Sequence, residues 1–165
     1  MTHCPCGSGA DLDECCRPIL GGAPAPTAEA LMRSRYTAFV RGDRDHIENT
    51  YAWEARAREA RDNVLRPGVT DALPSVEWVG LKIFDIFRGG VDDDAGMVEF
   101  AARYRKDGAL LVHRERSNFR REDGRWVYVD GDVIPKVAPE QVGKTGRNQP
   151  CPCRSVKKFK KCCGV

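Results

Sequence analysis

The cysteines of this 165-residue chain fall into two short groups, one near each end, and both groups have the same spacing. Each reads Cys-Pro-Cys, then eight residues, then Cys-Cys, over residues 4–16 and 151–163. Four thiolates can hold a metal ion at the corners of a tetrahedron, so each group predicts a small metal-tied knuckle. The predicted ligands are Cys4, Cys6, Cys15, Cys16, Cys151, Cys153, Cys162 and Cys163.

The spacing favours a metal over the other uses of paired cysteines. Adjacent cysteines bridge one another only with strain, and a reducing cytosol disfavours structural disulfides. The common dithiol redox motif has two residues between its cysteines, a spacing that neither group has. Four sulfur ligands leave no open coordination position, so we expect two structural ions, zinc or alternatively iron. His3, beside Cys4, is expected to be an exposed terminal residue rather than a spare ligand.

The two groups differ in charge. The first contains Asp11, Asp13 and Glu14, whereas residues 141–165 contain seven basic residues and no acidic one. The whole chain has a net charge of +3, so residues 1–140 carry −4. A basic tail with one aromatic ring predicts an anionic partner for the tail, although such a tail can also serve only to keep a chain in solution. The predicted contact residues are Arg147, Arg154, Lys157, Lys158, Phe159, Lys160 and Lys161.

Between the two groups, the sequence predicts an α+β domain. Thr27 is a predicted N-cap for the first of three helices, whose apolar residues share one stripe. The helical pattern ends at Pro67, and residues 75–129 then read as four strands joined by short turns. Three helices followed by an antiparallel meander are typical of a segregated α+β fold. The predicted parts are a knuckle over 1–20, a middle domain over 27–137, a linker over 138–149 and a second knuckle over 150–165.

The third predicted strand has two different faces. Leu111, His113, Glu115, Ser117 and Phe119 share one face, and the face with Val112, Arg114, Arg116, Asn118 and Arg120 is expected to be exposed. His113 and Glu115 could act as base and orienter in a pocket between helices and sheet. The alternative, which we prefer, is a structural ion pair between Glu115 and an arginine of the first helix, Arg33 or Arg35. The candidate pocket residues are Arg33, Arg35, His113, Glu115, Ser117 and Tyr128.

The C-terminal cysteine group resembles the SEC-C motif. Its cysteines follow the run Gly146-Arg147-Asn148-Gln149-Pro150 and enclose Lys157-Lys158-Phe159-Lys160-Lys161. This motif is the metal-binding tail of the SecA preprotein translocation ATPase. The resemblance implies a zinc-type knuckle and, as in SecA, contact with the SecB chaperone and the ribosome.

The chain as a whole resembles the YchJ family of small bacterial proteins. Besides the two cysteine groups, the matching segments are residues 31–40, 78–84 and 115–131. The resemblance implies a middle domain similar to nuclear-transport-factor-2-like domains, a cone-shaped fold whose helices pack on a strongly curved sheet. It implies an architecture rather than an activity.

Three hypotheses about function follow. The first is a non-enzymatic, zinc-binding interaction module whose basic C-terminal knuckle docks on a ribosome, RNA or an acidic chaperone. The second is a small-molecule receptor or enzyme that uses the pocket of the middle domain. The third is metal storage or sensing, which needs an exchangeable ion. The sequence has no long apolar run and no secretory signal, which predicts a cytoplasmic protein without a membrane partner.

Overall fold

The computed structural model of the protein describes residues 3–62, 76–135, 146–150 and 158–161. The helices are α1 (Arg17–Leu20), α2 (Ala28–Arg41), α3 (Arg44–Asn49) and α4 (Trp53–Asp62), and the strands are β1 (Glu77–Arg88), β2 (Ala95–Lys106), β3 (Ala109–Glu122) and β4 (Arg125–Val133). A short 3-10 helix covers Phe159–Lys161. The chain forms two compact units, Met1–Asp132 and Val133–Val165.

The predicted α+β class is confirmed. Helices α2 to α4 precede a curved, four-stranded antiparallel sheet with the strand order β1-β2-β3-β4. Helix α1 was not predicted, since it has only four residues and follows directly from the first cysteine group. The predicted end of the third helix at Pro67 lies outside the described residues. Among the residues that the structure describes, no helix is both long and apolar enough to cross a bilayer.

Helix α2 is the element on which the first unit is built. Its N-cap is Thr27, as predicted, since the Thr27 hydroxyl accepts a 3.1 Å hydrogen bond from the Ala30 amide. Leu31 and Tyr36 of the apolar stripe are buried, at 1% and 2% exposure, whereas Val40 near the end of the helix is 37% exposed. The helix therefore presents one face to the sheet and ends at the surface.

The aromatic residues of β2 to β4 lie on the face of the sheet that points into the core of the first unit. Phe100, Phe119, Trp126 and Tyr128 are all buried on this side. In the antiparallel register of β2 and β3, Ala102 lies opposite His113, Phe100 opposite Glu115 and Val98 opposite Ser117. The predicted shared face of the third strand is therefore confirmed, and it points into the unit.

The opposite face of β3 is not uniformly exposed, contrary to the prediction. Arg114 is only 7% exposed, and it pairs with Glu99, which is 2% exposed. The Arg114 guanidinium also lies 4.4 Å from the centre of the Phe84 ring. Strand alternation assigns Arg114 to the correct face, but it carries no information on what covers that face.

Candidate functional site

The first cysteine group folds as a tight hairpin followed by helix α1. The Cys4 amide donates to the Ala10 carbonyl at 2.9 Å, and His3 and Asp11 form an antiparallel bridge. Gly7 and Gly9 in the turn have φ angles of 72° and 85°, a region that favours glycine. This turn reverses the chain, so that the Cys-Pro-Cys segment meets the Cys-Cys pair at the start of α1. His3 itself is exposed, as expected.

The structure brings the four predicted sulfur ligands of this group together. The Sγ atoms of Cys4, Cys6, Cys15 and Cys16 all lie within 4.8 Å of one another. The sulfurs of Cys6 and Cys15 are 3.6 Å apart, and those of Cys15 and Cys16 are 3.8 Å apart. These separations exclude disulfides and match the roughly 3.8 Å edge of a tetrahedron with metal–sulfur bonds of about 2.3 Å. The four cysteines are compatible with metal binding.

The pKa values of three thiols in the cluster shift in different directions. Hydrogen bonding from Cys16 lowers the pKa of Cys6 to about 4, although burial opposes this. The same contact with Cys6, together with burial, raises the pKa of Cys16, and burial raises that of Cys15. The Cys6 thiolate is therefore favoured, and Cys15 and Cys16 keep their protons. A divalent ion would displace those protons, so binding would be pH-dependent.

The knuckle is part of the core of the first unit. Cys4, Cys6, Leu12 and Cys16 are buried in the same hydrophobic cluster as residues of α2. Arg33 Nη1 donates a 3.0 Å hydrogen bond to the Cys6 carbonyl oxygen, and its guanidinium also pairs with Glu29. The prediction that Arg33 lines a pocket is therefore wrong, because this side chain reaches the knuckle instead.

The described part of the second cysteine group repeats the pairing of the first. Adding 147 to residue numbers of the first group gives those of the second, so Pro150 and Lys158 correspond to His3 and Asp11. Both pairs form an antiparallel bridge. Phe159 corresponds to Leu12, and the two are 8% and 6% exposed. The predicted ligands Cys151, Cys153, Cys162 and Cys163 lie outside the described residues.

The burial of Phe159 corrects one of the predicted partner contacts. A ring that is 8% exposed is not free to stack on a base, and Leu12 at the equivalent position of the first group is buried as well. The basic residues beside it remain accessible, since Arg147, Lys158, Lys160 and Lys161 are exposed. Arg154 and Lys157 lie outside the described residues.

A cavity of about 240 Å³ lies between helix α2 and the inner face of the sheet. It is lined by five of the six predicted pocket residues, namely Arg35, His113, Glu115, Ser117 and Tyr128. Most of the remaining wall is aromatic and comes from Tyr36, Phe39, Tyr51, Trp78, Phe100 and Tyr104. A larger depression of about 620 Å³ lies beside α1 and α3, and none of the predicted residues lines it.

Glu115 is bound by three neighbours, none of which is an arginine. One carboxylate oxygen accepts from Ser117 at 2.6 Å and from Tyr128 at 2.8 Å, and the other lies 2.8 Å from His113 Nε2. The expected ion pair with Arg33 or Arg35 is therefore wrong. Burial alone would raise the pKa of Glu115, but the hydrogen bonds from His113, Ser117 and Tyr128 lower it to about 2. Glu115 is thus an ionised carboxylate that holds the cavity wall in one arrangement.

Gly131 on β4 makes room for Glu115, a requirement that the sequence alone did not indicate. A Cβ atom at position 131 would lie 2.1 Å from Glu115 Oε1 and 2.8 Å from Cγ. Only a residue without a side chain fits there while Glu115 keeps its three partners. The close approach explains why a glycine follows Tyr128 and Asp130 within a strand.

Comparison with known proteins agrees with this architecture. Residues 27–131 match the middle nuclear-transport-factor-2-like domain of YchJ, and residues 147–164 match the SEC-C motif. A UPF0225 protein of Geobacter sulfurreducens is 44% identical over 167 residues that cover both chains completely.

Two solved structures of SEC-C motif containing proteins are similar to this chain. One, a solution structure from Rhodopseudomonas palustris, has a TM-score of 0.69 and 34% identity, and covers 81% of this chain and all of that one. The other, a crystal structure from Psychrobacter arcticus, has a TM-score of 0.64 and 27% identity over 99% of this chain and 96% of that one. The chain therefore belongs to the YchJ (UPF0225) family, with a nuclear-transport-factor-2-like middle domain and a C-terminal SEC-C motif.

Proposed function

We propose that this protein is a non-enzymatic interaction module with two structural zinc knuckles, the second of which docks on an anionic macromolecule. The observation that carries the proposal is the set of four sulfur atoms within 4.8 Å of one another in the first knuckle. A closed four-sulfur site has no position for a substrate, so its ion would stabilise the fold and take no part in chemistry. Zinc is the metal proposed, with iron as the alternative that thiolate ligands also suit.

The second knuckle is proposed to hold an ion in the same way. The support is the shared cysteine spacing, the equivalent backbone bridge and the equivalent buried residues Leu12 and Phe159. A knuckle this short has little hydrophobic core of its own, so most of its folding free energy would come from the metal.

Elemental analysis of protein purified under reducing conditions tests the metal part. We expect two zinc ions per chain, one after Cys6→Ser, one after Cys162→Ser, and none in the double variant. A chain that carries no ion, or whose thiols are freely alkylated under native conditions, would contradict the proposal. Metal storage or sensing, the alternative, predicts fast loss of the ions to a chelator, whereas structural ions should leave slowly.

The partner part of the proposal is supported by charge. The exposed cations Arg147, Lys158, Lys160 and Lys161 lie in a segment with no acidic residue, and an RNA-rich surface such as the ribosome has the complementary charge. Because Phe159 is buried, the exposed cations alone carry the proposed docking, with RNA phosphates as the proposed target and an acidic chaperone as the alternative.

Ribosome co-sedimentation at increasing salt tests the partner. Binding should weaken steeply with salt, and Lys160→Ala/Lys161→Ala should weaken it and reduce the salt dependence. Arg41→Ala/Lys82→Ala removes the same charge from exposed positions in the middle domain and should leave binding unchanged. Equal losses in both variants would contradict docking through the second knuckle.

A further inference from the structure

The cavity beneath helix α2 is lined by residues that carry unused hydrogen-bond donors, as far as the structure describes the chain. Trp78 Nε1 is fully enclosed and has no acceptor among the described residues. Trp78 lines the cavity, and its ring packs against Tyr36, Phe39 and Tyr104 at centroid distances of 5.7, 5.5 and 5.5 Å. A buried donor without an acceptor is costly, so this indole is a hydrogen-bonding group whose capacity the surrounding described residues leave unmet.

Arg35 provides a second set of unused donors. Its side chain is 4% exposed, and Nη1 donates to the Ile47 carbonyl at 2.9 Å and to Thr50 Oγ1 at 2.5 Å. Within the described part of the chain these are the hydrogen bonds of its guanidinium, which leaves Nε and Nη2 without an acceptor, and the guanidinium forms no ion pair with a carboxylate. The rings of Tyr51 and Tyr128 lie 4.4 and 4.8 Å from its central carbon, which stabilises the cation without neutralising it.

The charge of the cavity lining is also positive. Arg35 and Lys106 are cationic, and Glu115 is the single acidic residue among the lining residues described. Glu115 already accepts from Ser117 and Tyr128 and contacts His113. Its charge is therefore satisfied by the protein, whereas that of Arg35 is not.

The size and wall of the cavity restrict the body of a ligand. At about 240 Å³ the cavity is smaller than the roughly 300–1,000 Å³ of sites for drug-sized molecules, so a single ring with a short substituent suits it. The aromatic side chains around it offer stacking and edge contacts to a flat apolar ring. The Nε and Nη2 edge of an arginine matches the two oxygens of a carboxylate.

We infer that this cavity is a binding site for a small aromatic carboxylate, whose carboxylate pairs with the Nε/Nη2 edge of Arg35 and whose ring packs among Tyr36, Trp78 and Phe100. The site is independent of both metal knuckles. The middle domain would thus have a function of its own, the recognition of a small organic anion.

Benzoate is the probe for this inference, with benzyl alcohol and benzylamine as neutral and cationic analogues of similar size. The zinc-loaded full chain is titrated with each and followed by NMR at the Trp78 indole N–H signal, which Trp78→Phe identifies. Benzoate should shift that signal in a saturable way. It should bind at least about tenfold more tightly than benzyl alcohol, because only the carboxylate can form a hydrogen bond between two charged groups with Arg35. Benzylamine should bind most weakly.

Arg35→Gln should remove the preference for benzoate over benzyl alcohol, whereas Arg41→Gln, an exposed arginine on the same helix, should retain it. If Arg35→Gln does not fold, Arg35→Lys replaces it, because that change keeps the positive charge but removes the planar two-donor edge, and it should weaken benzoate binding severalfold. Equal affinity for benzoate and benzyl alcohol in the unaltered protein, or no shift at Trp78, would overturn the inference. Both results are obtained on the unaltered protein, with Trp78→Phe needed only to assign the signal.

Discussion

Arg33 Nη1 donates a 3.0 Å hydrogen bond from helix α2 to the backbone carbonyl of Cys6, one of the four clustered cysteines. Four thiolates around a divalent ion carry a net charge of −2, and Arg33 is a half-buried cation next to them. Hydrogen bonds and charges just outside the ligands typically change metal affinity by about 10–100-fold. In the proposed N-terminal metal site, the middle domain would therefore supply part of the stability of the bound ion.

Arg33→Gln should accelerate loss of the N-terminal ion to a chelator by about tenfold or more. The measurement is zinc release followed with a colorimetric indicator, in a background where Cys162→Ser has removed the second site. Arg41→Gln, at the exposed end of the same helix, is the matched control and should release zinc at the unaltered rate. Equal release from both variants would show that Arg33 does not support the site.

Phe159 is expected to act inside the second knuckle rather than on a partner. Because Leu12 occupies the equivalent buried position, Phe159→Leu should retain the C-terminal ion, whereas Phe159→Ala should lose it faster by leaving a gap in the small core. The measurement is zinc release in a Cys6→Ser background. If instead Phe159→Leu keeps its zinc but loses ribosome binding, the ring would be a partner contact.

Local patterns in the sequence were sufficient for α2, for the four strands and for the first cysteine cluster, because each rests on a period or spacing within a few residues. The roles of Arg33 and Arg35 could not be obtained in that way. Two positions apart on a helix means about 200° of rotation, so these side chains point to opposite sides, one to the knuckle and one to the cavity. Whether Arg33 or Arg35 faces the knuckle depends on how helix α2 packs against the rest of the unit, which a local pattern does not determine.

The burial of Phe159 and Arg114 was missed for a similar reason. Phe159 stands among lysines and Arg114 on a strand face rich in arginine, a composition typical of exposed segments. Both are nonetheless buried, Phe159 in the short 3-10 helix that follows the Pro150–Lys158 bridge and Arg114 beside Glu99, with which it pairs. Contacts of this kind join residues far apart or in irregular turns, where no periodic pattern reports them.

Gly131→Ala should destabilise the protein by about 1–3 kcal/mol, because the new Cβ would overlap Glu115 while three hydrogen bonds hold that side chain in place. Urea unfolding measures the change. Gly90→Ala is the matched control, since a Cβ there meets nothing closer than 3.4 Å. In a Glu115→Ala background, Gly131→Ala should cost much less. An equal cost in both backgrounds would mean that the glycine has another role.

His46 should make stability rise with pH near neutrality. Burial, followed by the charge of Arg35, lowers the pKa of His46 to about 4 from the ordinary value of 6.5, and its Nε2 lies 3.0 Å from Ser34 Oγ in the core. Below pH 6.5 the unfolded chain takes up a proton that folded His46 does not accept until the pH nears 4. The contribution of neutral His46 is therefore complete above pH 6.5 and is lost as the pH falls towards 4.

Over that whole range the pKa difference corresponds to about 3 kcal/mol, of which about 1 kcal/mol falls between about pH 7 and about pH 5.5. Urea unfolding at these two pH values, at constant zinc content, should show this loss in the unaltered protein. His46→Gln, which keeps a polar group beside Ser34 but does not titrate, should be less stable at pH 7 and should lack that part of the pH dependence. His3→Gln replaces an exposed histidine and should keep the full dependence. If His46→Gln kept the same slope as the unaltered protein, the proton taken up on unfolding would belong to another group.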